Sequence, residues 1–126
     1  MRLPILAALA AAAALLAAGC GSTGHIGASS AGGNGKQLFQ AKCASCHTLK
    51  DANATGTVGP NLDEAFGCAM QQGFEESTVR DVVRGQIAYA SPPMPRKLVA
   101  GDDADAVAVY VTQAVQRTPV DCGKSG

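Results

Sequence analysis

Several stretches of this chain repeat their apolar side chains at helical spacing. Val79, Val82, Val83 and Ile87 fall at i, i+3, i+4 and i+8, which places them on one stripe of a helix. Val107, Tyr110, Val111, Ala114 and Val115 share a second helical face, with Asp102 suited to cap its start and Pro119 beyond its end. "GKQLFQAK", residues 35–42, reads as a third helix running directly into the residues that follow. Asn61 and Glu64 form an N-cap and N3 pair that opens a short helix through about Ala69. No segment alternates apolar and polar residues as a strand does. The pattern predicts an all-α domain of about four helices in residues 35–126.

The chain opens differently. Residues 3–18 are an apolar run broken only by Pro4 and preceded by Arg2. A bilayer span takes about 20 residues, so this run is short for one, and it ends in small residues. It predicts a secretory signal peptide over residues 1–19. The "LAAGC" ending at Cys20 resembles a bacterial lipobox, with Ala17 where such boxes most often carry Leu. That resemblance implies that Cys20 becomes the lipidated first residue of a protein held outside the cytoplasm, on the membrane. An ordinary cleaved signal peptide with a nearby cysteine is the alternative. Residues 20–34 are rich in Gly, Ser and Ala, carry almost no charge, and offer Ile26 as their one large apolar side chain. Such a composition predicts a flexible tether with a reach of roughly 20 Å. His25 lies in this tether and is assigned no role.

What remains is a small domain with three Phe, two Tyr and no Trp. A core that thin usually needs a disulfide, a metal or a bound group. Formal net charge is zero, or −1 once Arg2 is removed, and nothing resembles a nucleic-acid surface. The five cysteines are Cys20, Cys43, Cys46, Cys68 and Cys122. With Cys20 given to a lipid and Cys43 and Cys46 acting as one unit, Cys68 and Cys122 remain as a disulfide pair in an oxidising compartment. Two free buried thiols are the other reading.

"CASCH", residues 43–47, carries the chemistry. A dithiol oxidoreductase would set C-x-x-C between a strand and a helix, but a helical segment precedes the motif here. A zinc site needs four ligands, and neither Cys68 nor Cys122 has a partner at ligand spacing. Haem attachment fits: i, i+3 spacing brings both sulfurs to one side of a turn, where they can bond the two vinyl groups of a porphyrin. His47 then follows as an axial ligand to iron. A second axial ligand is needed, and Met70 and Met94 are the candidates. Met70 stands at helical spacing from Phe66 and reads as a packing residue. Met94 sits in "SPPMP", where three prolines stiffen the backbone and remove competing amide donors, and is expected to be the distal ligand.

With these residues the chain resembles a class I monohaem cytochrome c over about residues 35–116. Gly35 and Phe39 precede Cys43 as in that family's N-terminal helix, "GPNL" at 59–62 follows the histidine, and Met94-Pro95 resembles the distal segment. The resemblance implies one covalent haem c, a Pro60 carbonyl accepting the ring N–H of His47, and Val107 and Tyr110 packed on the Gly35/Phe39 face. An imidazole fixed in this way is oriented and made more basic. The general pattern says nothing of Cys68 and Cys122.

A haem with both axial positions filled has no vacant site for a substrate, so the expectation is a one-electron carrier rather than an enzyme. Its expected partners are redox proteins such as a respiratory complex or terminal oxidase, with the membrane reached through the lipid anchor. No nucleic acid and no small-molecule substrate are expected. A haem c subunit acting only inside an oxidase or dehydrogenase complex is one alternative. A gas or redox sensor with a dissociable methionine is another. Lys42, Lys50, Arg96 and Lys97 could ring the haem edge and steer an acidic partner, or be ordinary solvated charges.

Overall fold

The computed structural model describes residues 33–123. The expected signal peptide, Cys20 and the tether up to residue 32 lie outside the described residues. Four helices follow in order: α1 (Gly35–Lys42), α2 (Leu62–Gln71), α3 (Glu76–Tyr89) and α4 (Asp102–Arg117). Between α1 and α2 lie a 3₁₀ turn, Lys50–Ala52, and two short antiparallel strands, β1 (Thr48–Leu49) and β2 (Ala54–Thr55). These two-residue strands are too short to show as alternation in sequence, and the domain is all-α in character. No helix among the described residues is long and apolar enough to cross a membrane.

The longest helix, α4, is the spine. Nine of its residues are buried, including Val107, Tyr110, Val111, Ala114 and Val115 from the expected face. It packs on α1, α2 and α3. The crossing with α1 is close because Gly35 has no side chain: a Cβ there would run into the Ala106 carbonyl and lie 2.7 Å from Tyr110 Cβ. One turn on, Phe39 meets Tyr110 with ring centroids 6.0 Å apart in a tilted pair. Asn61 caps α2 as expected, its side chain accepting from Asp63 N at 3.0 Å and Glu64 N at 3.5 Å. The start of α4 departs from expectation. Gly101, at φ 55, takes the cap position and Asp102 is the first helical residue. The left-handed φ suits glycine, and Asp102, Asp103 and Asp105 instead complement the helix dipole from the first turn.

The α3 stripe is also split. Val79, Val83 and Ile87 are buried, whereas Val82 is 45% exposed. The structure joins Cys68 on α2 to Cys122 beyond α4, with Cα atoms 5.5 Å apart and a sequence separation of 54. The joined tail lies on α2: Gln71 Nε2 donates to Val120 O at 3.1 Å, and Gly67 leaves room for the Val120 side chain. In the chain-entropy model such a loop contributes about 4 kcal/mol.

A polar cluster that no local pattern announces ties the two ends of the fold together. Tyr110 Oη donates to Asp51 Oδ1 at 2.7 Å, and Arg117 donates to Asp51 Oδ2 through Nε at 3.2 Å and Nη2 at 3.1 Å. Lys36 approaches Oδ1 at 3.6 Å. The Tyr110 hydrogen bond first, then Arg117 and Lys36, hold the Asp51 carboxyl below its ordinary value against the opposing effect of burial. A carboxylate depressed in the folded state contributes its stability above the unfolded value of about 3.9 and loses it as pH falls through the folded value. Asp51→Asn should therefore cost about 1–2 kcal/mol at neutral pH. The gap between variant and native protein, measured by denaturant unfolding, should close only below about pH 4. A gap of the same size at pH 3 and pH 7 would contradict this.

Candidate functional site

The "CASCH" segment begins where α1 ends and continues its winding. The Phe39 carbonyl accepts from Cys43 N at 2.8 Å and Ala44 N at 3.0 Å, and the Cys43 carbonyl accepts from Cys46 N at 3.1 Å and His47 N at 3.0 Å. This keeps Cys43 and Cys46 on one side of a turn, half-buried and not bonded to each other. Gly56 lets the following segment pass underneath, since a Cβ there would lie 2.6 Å from the Cys46 carbonyl carbon and 2.7 Å from Ala44 O. Burial, and then the neighbouring Cys46, pushes the Cys43 thiol up to about 11. A dithiol oxidoreductase needs the opposite, a thiol lowered toward neutrality.

His47 is fixed on two sides by the segment 59–60. Its Nδ1 lies 3.0 Å from the Pro60 carbonyl oxygen. A carbonyl only accepts, so Nδ1 carries the proton and Nε2 is the nitrogen with a free lone pair. Gly59 lies against the ring: a Cβ on it would sit 2.5 Å from Cε1 and 2.8 Å from Nδ1. Three contacts hold this segment in place. Gly59 N donates to Cys46 O at 2.7 Å, Thr48 bridges to Asn61, and Lys50 N donates to Asp63 Oδ2 at 2.7 Å. Asp63 is buried at the base of α2, and its Oδ1 has no hydrogen-bond partner among the described residues.

Cys43, Cys46, His47 and Pro60 line a cavity of about 620 Å³. Its walls are apolar: Phe39 from α1, Leu62 and Phe66 from α2, Val83 and Ile87 from α3, Val107 and Val111 from α4. The loop after α3 completes it with Pro93, Met94, Pro95 and Leu98. Met94 therefore shares the cavity with His47. Met70 is partly buried against the core and lines a separate space with Gly67, Gln71 and Val115. Of the four cations singled out from sequence, Lys42 lines the cavity, while Arg96 donates through Nε to Ala90 O at 2.8 Å. Lys50 and Lys97 are exposed.

The walls fit a flat apolar group. Among the described residues, Val58 at 65% exposure, Tyr89 at 79%, Val82 at 45% and Leu98 at 39% are four of the five exposed large apolar side chains, and all four line this cavity. The volume lies in the range of about 300–1,000 Å³ usual for cofactor sites. Two thiols, an imidazole with a free nitrogen and a thioether share this cavity, groups that suit a covalently held haem. Gly56, Gly59 and Arg96 were not singled out from sequence for these contacts. The Gly-Pro pair at 59–60 signals a special backbone but not what it touches.

Comparison with known proteins agrees. The family described as "Cytochrome C oxidase, cbb3-type, subunit III" matches residues 30–111. A protein named cytochrome c from Ulva intestinalis is 54% identical over 33 residues, which are 26% of this chain and 29% of that protein. The match thus spans under a third of that relative's length. The crystal structure of the c-type cytochrome SorU from Sinorhizobium meliloti aligns with a TM-score of 0.50 at 31% identity, covering 68% of this chain and 91% of that one. The cavity, its donor set and these relatives converge: the chain belongs to the cytochrome c family, in the group of cbb3-type subunit III domains, as a monohaem cytochrome c with a covalently attached haem c.

Proposed function

We propose that this electron-transfer haem protein is a one-electron carrier with His47 and Met94 as axial ligands and Cys43 and Cys46 as thioether anchors. The carrier works outside the cytoplasm, held to the membrane through Cys20. The observation that carries this reading is the shared cavity, in which His47, fixed by Pro60 and Gly59, and Met94, on the proline-stiffened loop, are the imidazole and the thioether. The bound haem supplies an Fe(III)/Fe(II) couple. The chain's residues then have three tasks. Cys43 and Cys46 prevent loss of the group, and His47 donates Nε2 while Pro60 orients its ring. The apolar walls from α2, α3 and α4 keep water away, so little reorganisation accompanies a change of one charge. A thioether paired with imidazole would favour the reduced state and raise the potential.

Docking to a redox partner is supported by Lys42 at the cavity and by exposed Lys50 and Lys97. The matched family's description as an oxidase subunit favours a second reading, a domain that works inside an oxidase complex. Isolation of the protein from its native membranes separates the two: co-purification with oxidase subunits in fixed proportion supports the second. We also propose that the Cys68–Cys122 bond forms in the exported protein and fastens the tail to α2.

Met94→Ala should abolish the near-infrared thioether-to-iron band of the oxidised protein and lower the midpoint potential by more than about 59 mV, tenfold in a one-electron equilibrium. Met70→Ala should leave both unchanged, and the reverse result would overturn the ligand assignment. Gly59→Ala places a methyl group against the imidazole. It should destabilise the protein by about 1–3 kcal/mol. It should also raise the potential, because the His47–Pro60 hydrogen bond lengthens and the ring becomes less basic. Denaturant unfolding and potentiometry check this, and an unchanged stability would contradict it.

A further inference from the structure

The loop that carries Met94 is attached in an unusual way. Ala90 and Val99 are buried at its two ends, while between them Met94 alone is half-buried and the rest is exposed. Pro93, Met94, Pro95 and Leu98 line the cavity and would pack on a bound group, so the polypeptide itself fixes the segment chiefly by hydrogen bonds. The prolines stiffen it locally, and Met94 N donates to Ser91 O at 3.1 Å, but that bond stays within the loop. Two hydrogen bonds return from the loop to the end of α3. Arg96 Nε donates to Ala90 O at 2.8 Å, and Lys97 N donates to Ile87 O at 2.8 Å.

Both acceptors belong to the C-terminal end of α3, where the last carbonyls of a helix lack partners within it. The negative end of the helix dipole also favours cations there. Lys97, which makes the second bond, stands at φ 55, a left-handed conformation disfavoured for a non-glycine residue. The backbone thus adopts a disfavoured conformation at the residue whose N–H donates to Ile87 O. Breaking these two bonds would release the loop from the end of α3.

We propose that Arg96, together with the backbone of Lys97, is a positioning staple that holds Met94 in the cavity and sets how often its thioether leaves. The inference rests on Met94 as the distal ligand. Arg96 is not among the residues that line the cavity and acts through the loop. It fastens the loop base to Ala90, and the Lys97 N–H fastens the far end to Ile87. The staple makes the distal position openable by a small external ligand without unfolding the domain, because α3 and the buried Ala90 and Val99 stay in place.

The test uses the oxidised holoprotein with imidazole as the probe. Imidazole binds only the population with Met94 displaced, so its apparent affinity scales with that population. Arg96→Ala should retain the near-infrared thioether band without imidazole but bind imidazole about tenfold more tightly, equivalent to about 1.4 kcal/mol. Arg96→Lys keeps a cation near α3 but loses the planar Nε donor, and should fall between the two. Lys97→Gly keeps the N–H and removes the strain, so it should bind imidazole no more tightly than the native protein. Equal imidazole affinity in Arg96→Ala and the native protein would overturn the proposal. So would tighter binding in Lys97→Gly than in Arg96→Ala. Hydrogen exchange at the Met94 and Lys97 amides judges the staple itself, with about tenfold faster exchange expected in Arg96→Ala. A native protein without the thioether band would overturn the ligand reading, whereas unchanged exchange with the band present would overturn only the staple.

Discussion

His47 is caught between two backbone groups, the face of Gly59 and the carbonyl oxygen of Pro60, 3.0 Å from its Nδ1. In the proposed role of iron ligand, a ring that must keep one orientation through repeated changes of iron charge cannot rely on its own rotamer preferences. Here its position is set by main chain, which moves only if the whole segment moves. That segment is in turn laced to the motif and to β1, and through Lys50 N to the buried Asp63 of α2. Much of the connection between α1 and α2 thus serves to aim one ring.

The helices supply the complementary constraint. Gly35 brings α1 down on α4 and Phe39 fills the crossing against Tyr110, which fixes where the motif leaves α1. The Asp51 cluster clamps the other end, joining the 3₁₀ turn to both the middle and the C-terminus of α4. Between these fixed points α2 and α3 line a cavity rather than closing on each other. With only five aromatic residues the chain cannot fill that volume itself. The exposed Val58, Val82, Tyr89 and Leu98 all line this cavity, where a bound haem would cover them.

What could be read from sequence follows from how local the physics is. The helices were legible because their buried faces repeat at i, i+3 and i+4, and Asn61 because a cap acts on its own next turn. "CASCH" was legible because two bonds to one porphyrin edge impose a fixed spacing. Pro60 comes from resemblance and not from spacing, since nothing in the residues between them says that its carbonyl meets His47. Val82 was grouped with the buried stripe because periodicity separates inside from outside but not protein core from cofactor wall. Asp102 was given the cap of α4 because Asp and Gly both suit that position, and only the positive φ at Gly101 decides between them. Asp51 with Arg117, 66 residues apart, and Arg96 on the Ala90 carbonyl are side-chain bonds set by tertiary placement. Their signal in sequence is no stronger than that of any surface charge.

The account rests on a haem bonded to Cys43 and Cys46. The most direct measurement is mass mapping of peptides from the acid-denatured, alkylated holoprotein. The account predicts one haem mass on the peptide that contains residues 43–47, with neither of its thiols alkylated. A haem extracted free by acid, with both Cys43 and Cys46 alkylated, would contradict it.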